Sequence, residues 1–178
     1  RAIVTDQPGG TRGRIYGTAN AGGSVPFRVV DMGGLTPGQD MPLSREMEAQ
    51  AKRALAEAAA VLLVVDARCG PTAADLDVAK MLRRSSLPVI VVANKIDVPA
   101  LEPLTAELHS LGFGDPTAVS AEHARGIDDL VEAIDRALVD AGVAAGVAGP
   151  DTCASEAAPL GIAIVGRTNV GKSSILNR

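Results

Sequence analysis

The amino-acid sequence predicts an α/β fold, a mostly parallel β-sheet with helices on both faces. Three observations carry this. Val61–Val65, Val89–Ala93 and Ile162–Val165 are continuous apolar runs, as strands buried on both faces require. Long Ala- and Leu-rich stretches without breakers separate them, so strands and helices alternate. The chain has 178 residues of which 47% are hydrophobic, yet only 2% are aromatic and tryptophan is absent. Its core is therefore built from Val, Leu, Ile and Ala, which suits a sheet packed tightly under helices.

Taken in order, Ile15–Ala21 and Phe27–Val30 read as two strands joined by a turn at Gly22-Gly23-Ser24. Ser44–Ala60 reads as a helix, and Val61–Val65 as a buried strand. Thr72–Arg84 is expected as a helix with Pro71 at its start. Val89–Ala93 is the next strand, followed by a helix near Leu101–Leu111, a short strand near Thr117–Val119 and a helix over Ile127–Ala141. Asp128-Asp129 suits that helix's first turn, where the dipole favours acidic residues. From Gly142 to Pro159 the composition turns to Ala, Gly, Pro and Ser, the signature of a linker. Ile162–Val165 then leads straight into a glycine loop and a new helix.

The formal net charge is −4, which gives no direct signal for nucleic acid. No apolar run approaches the ~20 residues of a membrane helix, and a signal peptide is not expected. Cys69 and Cys153 stand in unrelated contexts and read as reduced thiols of a cytoplasmic protein. His109 and His123 have no partners at metal-ligand spacing. The chain opens at Arg1 without methionine and stops within an opening helix, which reads as a fragment of a longer protein.

The most specific local pattern is Gly166-Arg-Thr-Asn-Val-Gly171-Lys172-Ser173: glycine, four residues, then Gly-Lys-Ser, after a strand and before a helix. Its glycines, with Asn169 and Val170, let backbone N–H groups turn inward around phosphate oxygens at a helix N-terminus. Lys172 would reach the outer phosphates, and the Ser173 hydroxyl would bind Mg²⁺. Asn94-Lys95-Ile96-Asp97 follows a buried strand. The Asp97 carboxylate can accept from the ring N–H and exocyclic amine of guanine together, which adenine does not offer. Asn94 would hold the other edge of the base, and the Lys95 stem its face. Asp31-Met-Gly-Gly34 closes a strand, with Asp31 placed for Mg²⁺ through water and the Gly34 N–H for a γ-phosphate. Thr11 would complete the Mg²⁺ shell, and the backbone of Ser120-Ala121 would meet the guanine carbonyl.

Together Thr11, Asp31–Gly34, Asn94–Asp97 and Ser120-Ala121 stand in the order and spacing of a translation-factor-related GTPase domain. The stretches Arg1–Arg12, Leu62–Asp75 and Ser120–Leu130 resemble the Der (EngA) family of ribosome-assembly double GTPases, and the resemblance covers nearly the whole chain. It implies a P-loop NTPase fold of the Ras-like GTPase type, GTP/GDP and Mg²⁺ as ligands, and a role in large-subunit ribosome assembly. It also implies that 1–141 is a first GTPase domain lacking its own phosphate loop, 142–159 a linker, and 160–178 the start of a second, with a KH-like domain beyond. Leu35 stands where Ras-like enzymes place a water-orienting glutamine. In the group with a hydrophobic residue there, K⁺ substitutes for an arginine finger, and Asn169 matches its K⁺ ligand. Gly13-Arg14 departs from the family's Asp-Arg. The expected function is GTP binding and hydrolysis, with guanine-nucleotide binding and little or no hydrolysis as the alternative. No catalytic base is evident.

A sheet lacking its central strand would expose two edges and apolar helix faces. A linker of roughly 18 residues spans about 60 Å when extended. Ile162–Val165 is thus expected to dock into the vacant slot, so that a circularly permuted single domain results, with Ile164 between the strands around Val29 and Val64.

Overall fold

The protein's structure, a computed structural model, describes residues 15–19, 27–31, 55–142 and 160–176; at 15–19, 27–31 and Leu160 it describes the backbone alone. Its strands are β1 (Ile15–Ala19), β2 (Phe27–Asp31), β3 (Ala60–Asp66), β4 (Val89–Asn94), β5 (Thr117–Ala118) and β6 (Leu160–Val165). They form one sheet in the order β1-β2-β6-β3-β4-β5. β1 runs antiparallel to β2, and every other neighbouring pair is parallel.

The last strand in sequence lies inside the sheet. Ile164 is in register with Asp31 of β2 on one side and Leu62 of β3 on the other. Both edges of β6 are thereby paired, and those of β2 and β3 that face it are covered. Ile162, Ala163, Ile164 and Val165 are each no more than 1% exposed. Full burial of an isoleucine side chain stabilises by about 1.5–3 kcal/mol, so Ile162 and Ile164 supply a substantial hold on the slot.

Side-chain alternation sends β3 and β6 residues into two layers. Val61, Leu63, Val65, Ala163 and Val165 pack with α1 (Ala73–Leu82) and a 3₁₀ helix (Pro99–Leu111). Ala60, Leu62, Val64, Ile162 and Ile164 pack with α2 (Ile127–Asp140), through Leu130, Ile134 and Leu138. These three recur every fourth residue and so form one helical stripe. A short α3 (Lys172–Leu176) follows β6.

Among the boundaries that differ from the sequence reading, three have a local physical cause. The helix expected to reach Ala60 has ended by then, because Ala60 opens β3 and is fully buried opposite Ile162. Pro71 precedes α1 instead of opening it. Thr72 is the N-cap, in a reciprocal capping box with Asp75. The Leu101–Leu111 segment is a 3₁₀ helix starting at Pro99. Pro103 lies inside it, removing an N–H and disfavouring the α conformation before it. The expected helix over 44–54 and the expected linker over 143–159 lie outside the described residues.

Candidate functional site

Parallel α/β sheets place ligands beyond the carboxyl ends of their strands. Here Asp66 ends β3, Asn94 ends β4, and the Gly166–Gly171 loop leaves β6 on that same edge. The loop's shape depends on its glycines. Gly166 has φ 154°, and a Cβ there would lie 2.3 Å from the Val64 carbonyl oxygen. Gly171 has φ 94°, and a Cβ there would lie 2.2 Å from Asn94 Nδ2. Asn169 takes a left-handed φ of 63°, a conformation asparagine tolerates. Val170 is buried in the α2-side core while Thr168 and Asn169 are exposed, so the loop is pinned at one point and open at its tip.

Lys172, 8% exposed, folds back over the loop. Its Nζ donates to the carbonyls of Gly166 at 2.8 Å and Arg167 at 2.7 Å. The ammonium is thus held inside the turn by the backbone it would serve. Ser173 lies exposed in the first turn of α3.

Asn94 joins the loops. Its Nδ2 donates to the Val170 carbonyl at 2.6 Å, and its Oδ1 accepts from the Ala121 N–H at 3.0 Å. The sequence reading gave Asn94 to an edge of the base and the Ser120-Ala121 backbone to the guanine carbonyl. In the structure those groups also have protein partners, since the Ser120 N–H donates to the Arg125 carbonyl at 2.9 Å. Asn94 is therefore a brace between the β4, β5 and β6 loops.

Asp97 Oδ1 accepts from the Ser120 hydroxyl at 2.6 Å, and Oδ2 pairs with the Arg68 guanidinium. The Ser120 hydrogen bond leads in holding the Asp97 carboxyl below its ordinary value; partial burial opposes it, and the Arg68 charge assists. Lys95 has φ 72°, and its Nζ reaches Asp66 Oδ2 at 2.6 Å. Burial pushes Asp66 up, but the Lys95 ammonium and the Arg68 N–H outweigh it, so its carboxyl is also held low. Both carboxylates stay ionised at neutral pH.

The backbone of Asp31 ends β2 in register with Ile164, two residues before Gly166, so it lies on the loop's edge of the sheet. Thr11, Gly34 and Leu35 lie outside the described residues. Among the described residues no group of three His, Cys, Asp or Glu side chains could hold a metal. The sequence reading expects Mg²⁺ donors at Ser173, Thr11 and Asp31, oxygen ligands of the hard kind that ion prefers. Of these, Ser173 is described, and its exposed place beside Lys172 fits that use.

Sequence reasoning missed Asp66, Arg68 and the pairing of Arg167 with Asp75. Asp66 carried one usable signal, an acidic residue closing a buried strand. Arg68 and Asp75 carried none, because their partners lie 29 and 92 residues away.

Residues 1–95 match the family model described as 50S ribosome-binding GTPase. Similar curated proteins are named GTPase Der. That of Moorella thermoacetica is 44% identical over 177 residues, covering 99% of this chain and 38% of the relative. That of Thermomicrobium roseum is 45% identical over 183 residues, with the same coverages of 99% and 38%. The chain thus spans well under half the length of these relatives. Among solved structures, a variant of Aquifex aeolicus Era bound to GDP and AlF4⁻ superposes with TM-score 0.58 at 28% identity, covering 76% of this chain and 48% of that one. The fold is that of the P-loop NTPases, and no helix among the described residues is long and apolar enough to cross a membrane. By the family model that spans more than half of it, the chain belongs to the 50S ribosome-binding GTPase family.

Proposed function

We propose that this chain binds one guanine nucleotide at the carboxyl edge of its sheet, and that the whole protein hydrolyses GTP during large ribosomal subunit assembly in the cytoplasm. The observation that carries the proposal is the seating of β6 between β2 and β3. It brings the phosphate loop within hydrogen-bond reach of Asn94, at 2.6 Å from Nδ2 to the Val170 carbonyl. In this reading phosphate-binding and base-reading loops serve one nucleotide.

The base is read by Asp97, whose ionised carboxylate matches the two N–H donors of guanine, with Lys95 along the ring and Asn94, Ser120 and Ala121 framing it. The phosphates lie in the loop formed by Gly166, Asn169, Val170, Gly171 and Lys172, with Gly34 at the γ-phosphate. Mg²⁺, held by Ser173, Thr11 and, through water, Asp31, would neutralise charge building between the β- and γ-phosphates. Asn169, exposed at the loop tip, would be the K⁺ ligand. In hydrolysis a water oxygen attacks the γ-phosphorus, the bond to the β-phosphate oxygen breaks, and GDP and inorganic phosphate leave. The chain's own contribution is positioning and charge, with no assigned base.

By lineage, 1–141 belongs to a first GTPase unit, 142–159 is a linker and 160–178 opens a second. The relatives' greater length supports that division.

Binding of a fluorescent GDP analogue is the test. Asp97→Asn should weaken it by about 10⁴ while gaining affinity for the xanthine analogue. Failure of the unaltered chain to bind GDP overturns the proposal. Phosphate release from GTP, stimulated by K⁺, assigns hydrolysis to this chain; GDP binding without release leaves it a guanine-nucleotide-binding module, the reading Leu35 favours.

A further inference from the structure

Asp75 lies in the first turn of α1, 92 residues before Arg167 of the phosphate loop, and is one of the most deeply buried charged side chains described, at 1% exposure. Two groups engage it. Thr72 donates to Oδ2 through its backbone N–H at 2.9 Å and its hydroxyl at 2.7 Å. From the other side comes Arg167 of the phosphate loop, whose Nε lies 3.2 Å from Oδ1 and 3.1 Å from Oδ2. The Arg167 side chain is itself only 20% exposed.

A capping box needs only the Thr72 contacts, and an uncharged side chain can make them. The buried charge needs the arginine: an ionised carboxylate withdrawn from water is costly unless paired and hydrogen-bonded. Arg167 is equally bound to its place, because its carbonyl accepts from Lys172 Nζ at 2.7 Å. A continuous chain of polar contacts therefore runs from the N-terminus of α1 through Asp75 and Arg167 to the ammonium of Lys172. The loop's other fixed points are the Asn94 contact to Val170 and the burial of Val170. Among the described residues, Asn94 holds its C-terminal half, and Asp75 holds Arg167.

We infer that Asp75 is a positioning residue for the phosphate loop: through Arg167 it fixes the loop's N-terminal half, and with it the Lys172 ammonium, for the β-phosphate of the nucleotide. This rests on the guanine-nucleotide reading of the site. Asp75 is buried and bound to Thr72 and Arg167, so it acts through the phosphate loop, and its effect falls on phosphate affinity and not on base recognition. Arg167 also ties the C-terminal segment to α1, making the pair a latch between segments 92 residues apart.

A double-mutant cycle on the full chain tests this. Asp75→Asn keeps an acceptor for Thr72 and removes the charge, while Arg167→Gln leaves the capping box intact. The readout is the ratio of the GMP Kd to the GDP Kd, which isolates the β-phosphate contribution. Each single variant should lower that ratio about tenfold, and the double variant no further, as expected for contacting residues. Arg167→Lys should restore part of it. Base recognition, read as the preference for GMP over AMP, should stay unchanged in all four. If Asp75→Asn does not fold, the Arg167→Gln and Arg167→Lys pair carries the same comparison. Ratios equal to that of the unaltered chain, or an equal weakening of GMP and GDP, overturn the inference. If the unaltered chain prefers GDP to GMP, the nucleotide reading stands whatever the variants do; if it binds neither, both readings fall together.

Discussion

The end of the site proposed to read the base and the end proposed to hold the phosphates are held by different means. The first is assembled from loops of one continuous stretch: Asp66 with Lys95, Asn94 with Ala121, and Asp97 with Ser120 all close within residues 66–121. The phosphate loop arrives from the C-terminal end of the chain. It is held by the β6 ladder, the burial of Val170, and two long-range polar contacts, Asn94 to Val170 and Arg167 to Asp75. One end is preorganised by nearby hydrogen bonds, whereas the other depends on a strand reaching its slot. The contrast teaches that base recognition and phosphate binding can be broken separately.

The largest effect should follow from attacking the slot. Ile164→Asp puts a carboxylate where exposure is 1%, at a cost of about 4 kcal/mol or more. Thermal melting should lose its cooperative transition, and GDP binding should vanish. A variant that melts and binds like the parent would show that β6 is not needed in the sheet. Next, Lys172→Ala should cost about 100-fold in GDP affinity, since an ion paired with phosphate through charge-assisted hydrogen bonds is lost. Its preference for GMP over AMP should survive, because Asp97 is untouched. Loss of that preference would erase the distinction between the two ends.

Asn94→Ala cuts the link between them. It strands the buried Val170 carbonyl and Ala121 N–H, costing about 2 kcal/mol in a chemical denaturation series. An unchanged midpoint would mean that the brace is dispensable. The smallest effect is expected for Ser120→Ala, which removes the leading cause of the lowered Asp97 pKa. By carboxyl-carbon NMR, the Asp97 midpoint should rise toward the ordinary 3.8. Because Asp66 and Asp97 are both lowered in the folded state, their stabilisation is complete above 3.8 and is lost as pH falls through the lower folded values. Melting temperature should therefore hold from neutral pH to about 5 and drop below the carboxylate range, less steeply in Ser120→Ala. A midpoint that stays put would remove Ser120 from the account.

Much of this architecture was legible beforehand. β3, β4 and β6 appear as apolar runs because both their faces are buried, and only their ends shifted, by one or two residues. Ala60 was misread because alanine favours helix wherever packing is unknown, and only the register with Ile162 reveals a strand. The 3₁₀ geometry around Pro103 was also missed, since the periodicity of Leu101–Leu111 suits a helix of either kind. Within the site, Lys172, Asn94 and Asp97 were visible from motif and position. Asp97's partner Arg68 and Arg167's partner Asp75 were not, because an ion pair across 29 or 92 residues leaves no local pattern.

The sequence alone determined which segments are buried strands, which loop has the glycines for a tight turn, and which carboxylate is proposed to read guanine. These depend on side-chain polarity, backbone freedom and local periodicity, all properties of short windows. The sequence raised the docking of the final strand as an expectation; the tertiary structure seats that strand between β2 and β3, fixes its register, and brings two sets of loops to one edge of the sheet. Parallel pairing is non-local: any apolar strand of suitable length satisfies the ladder. The choice falls to the strand that the chain can bring there and that both faces of the core accept.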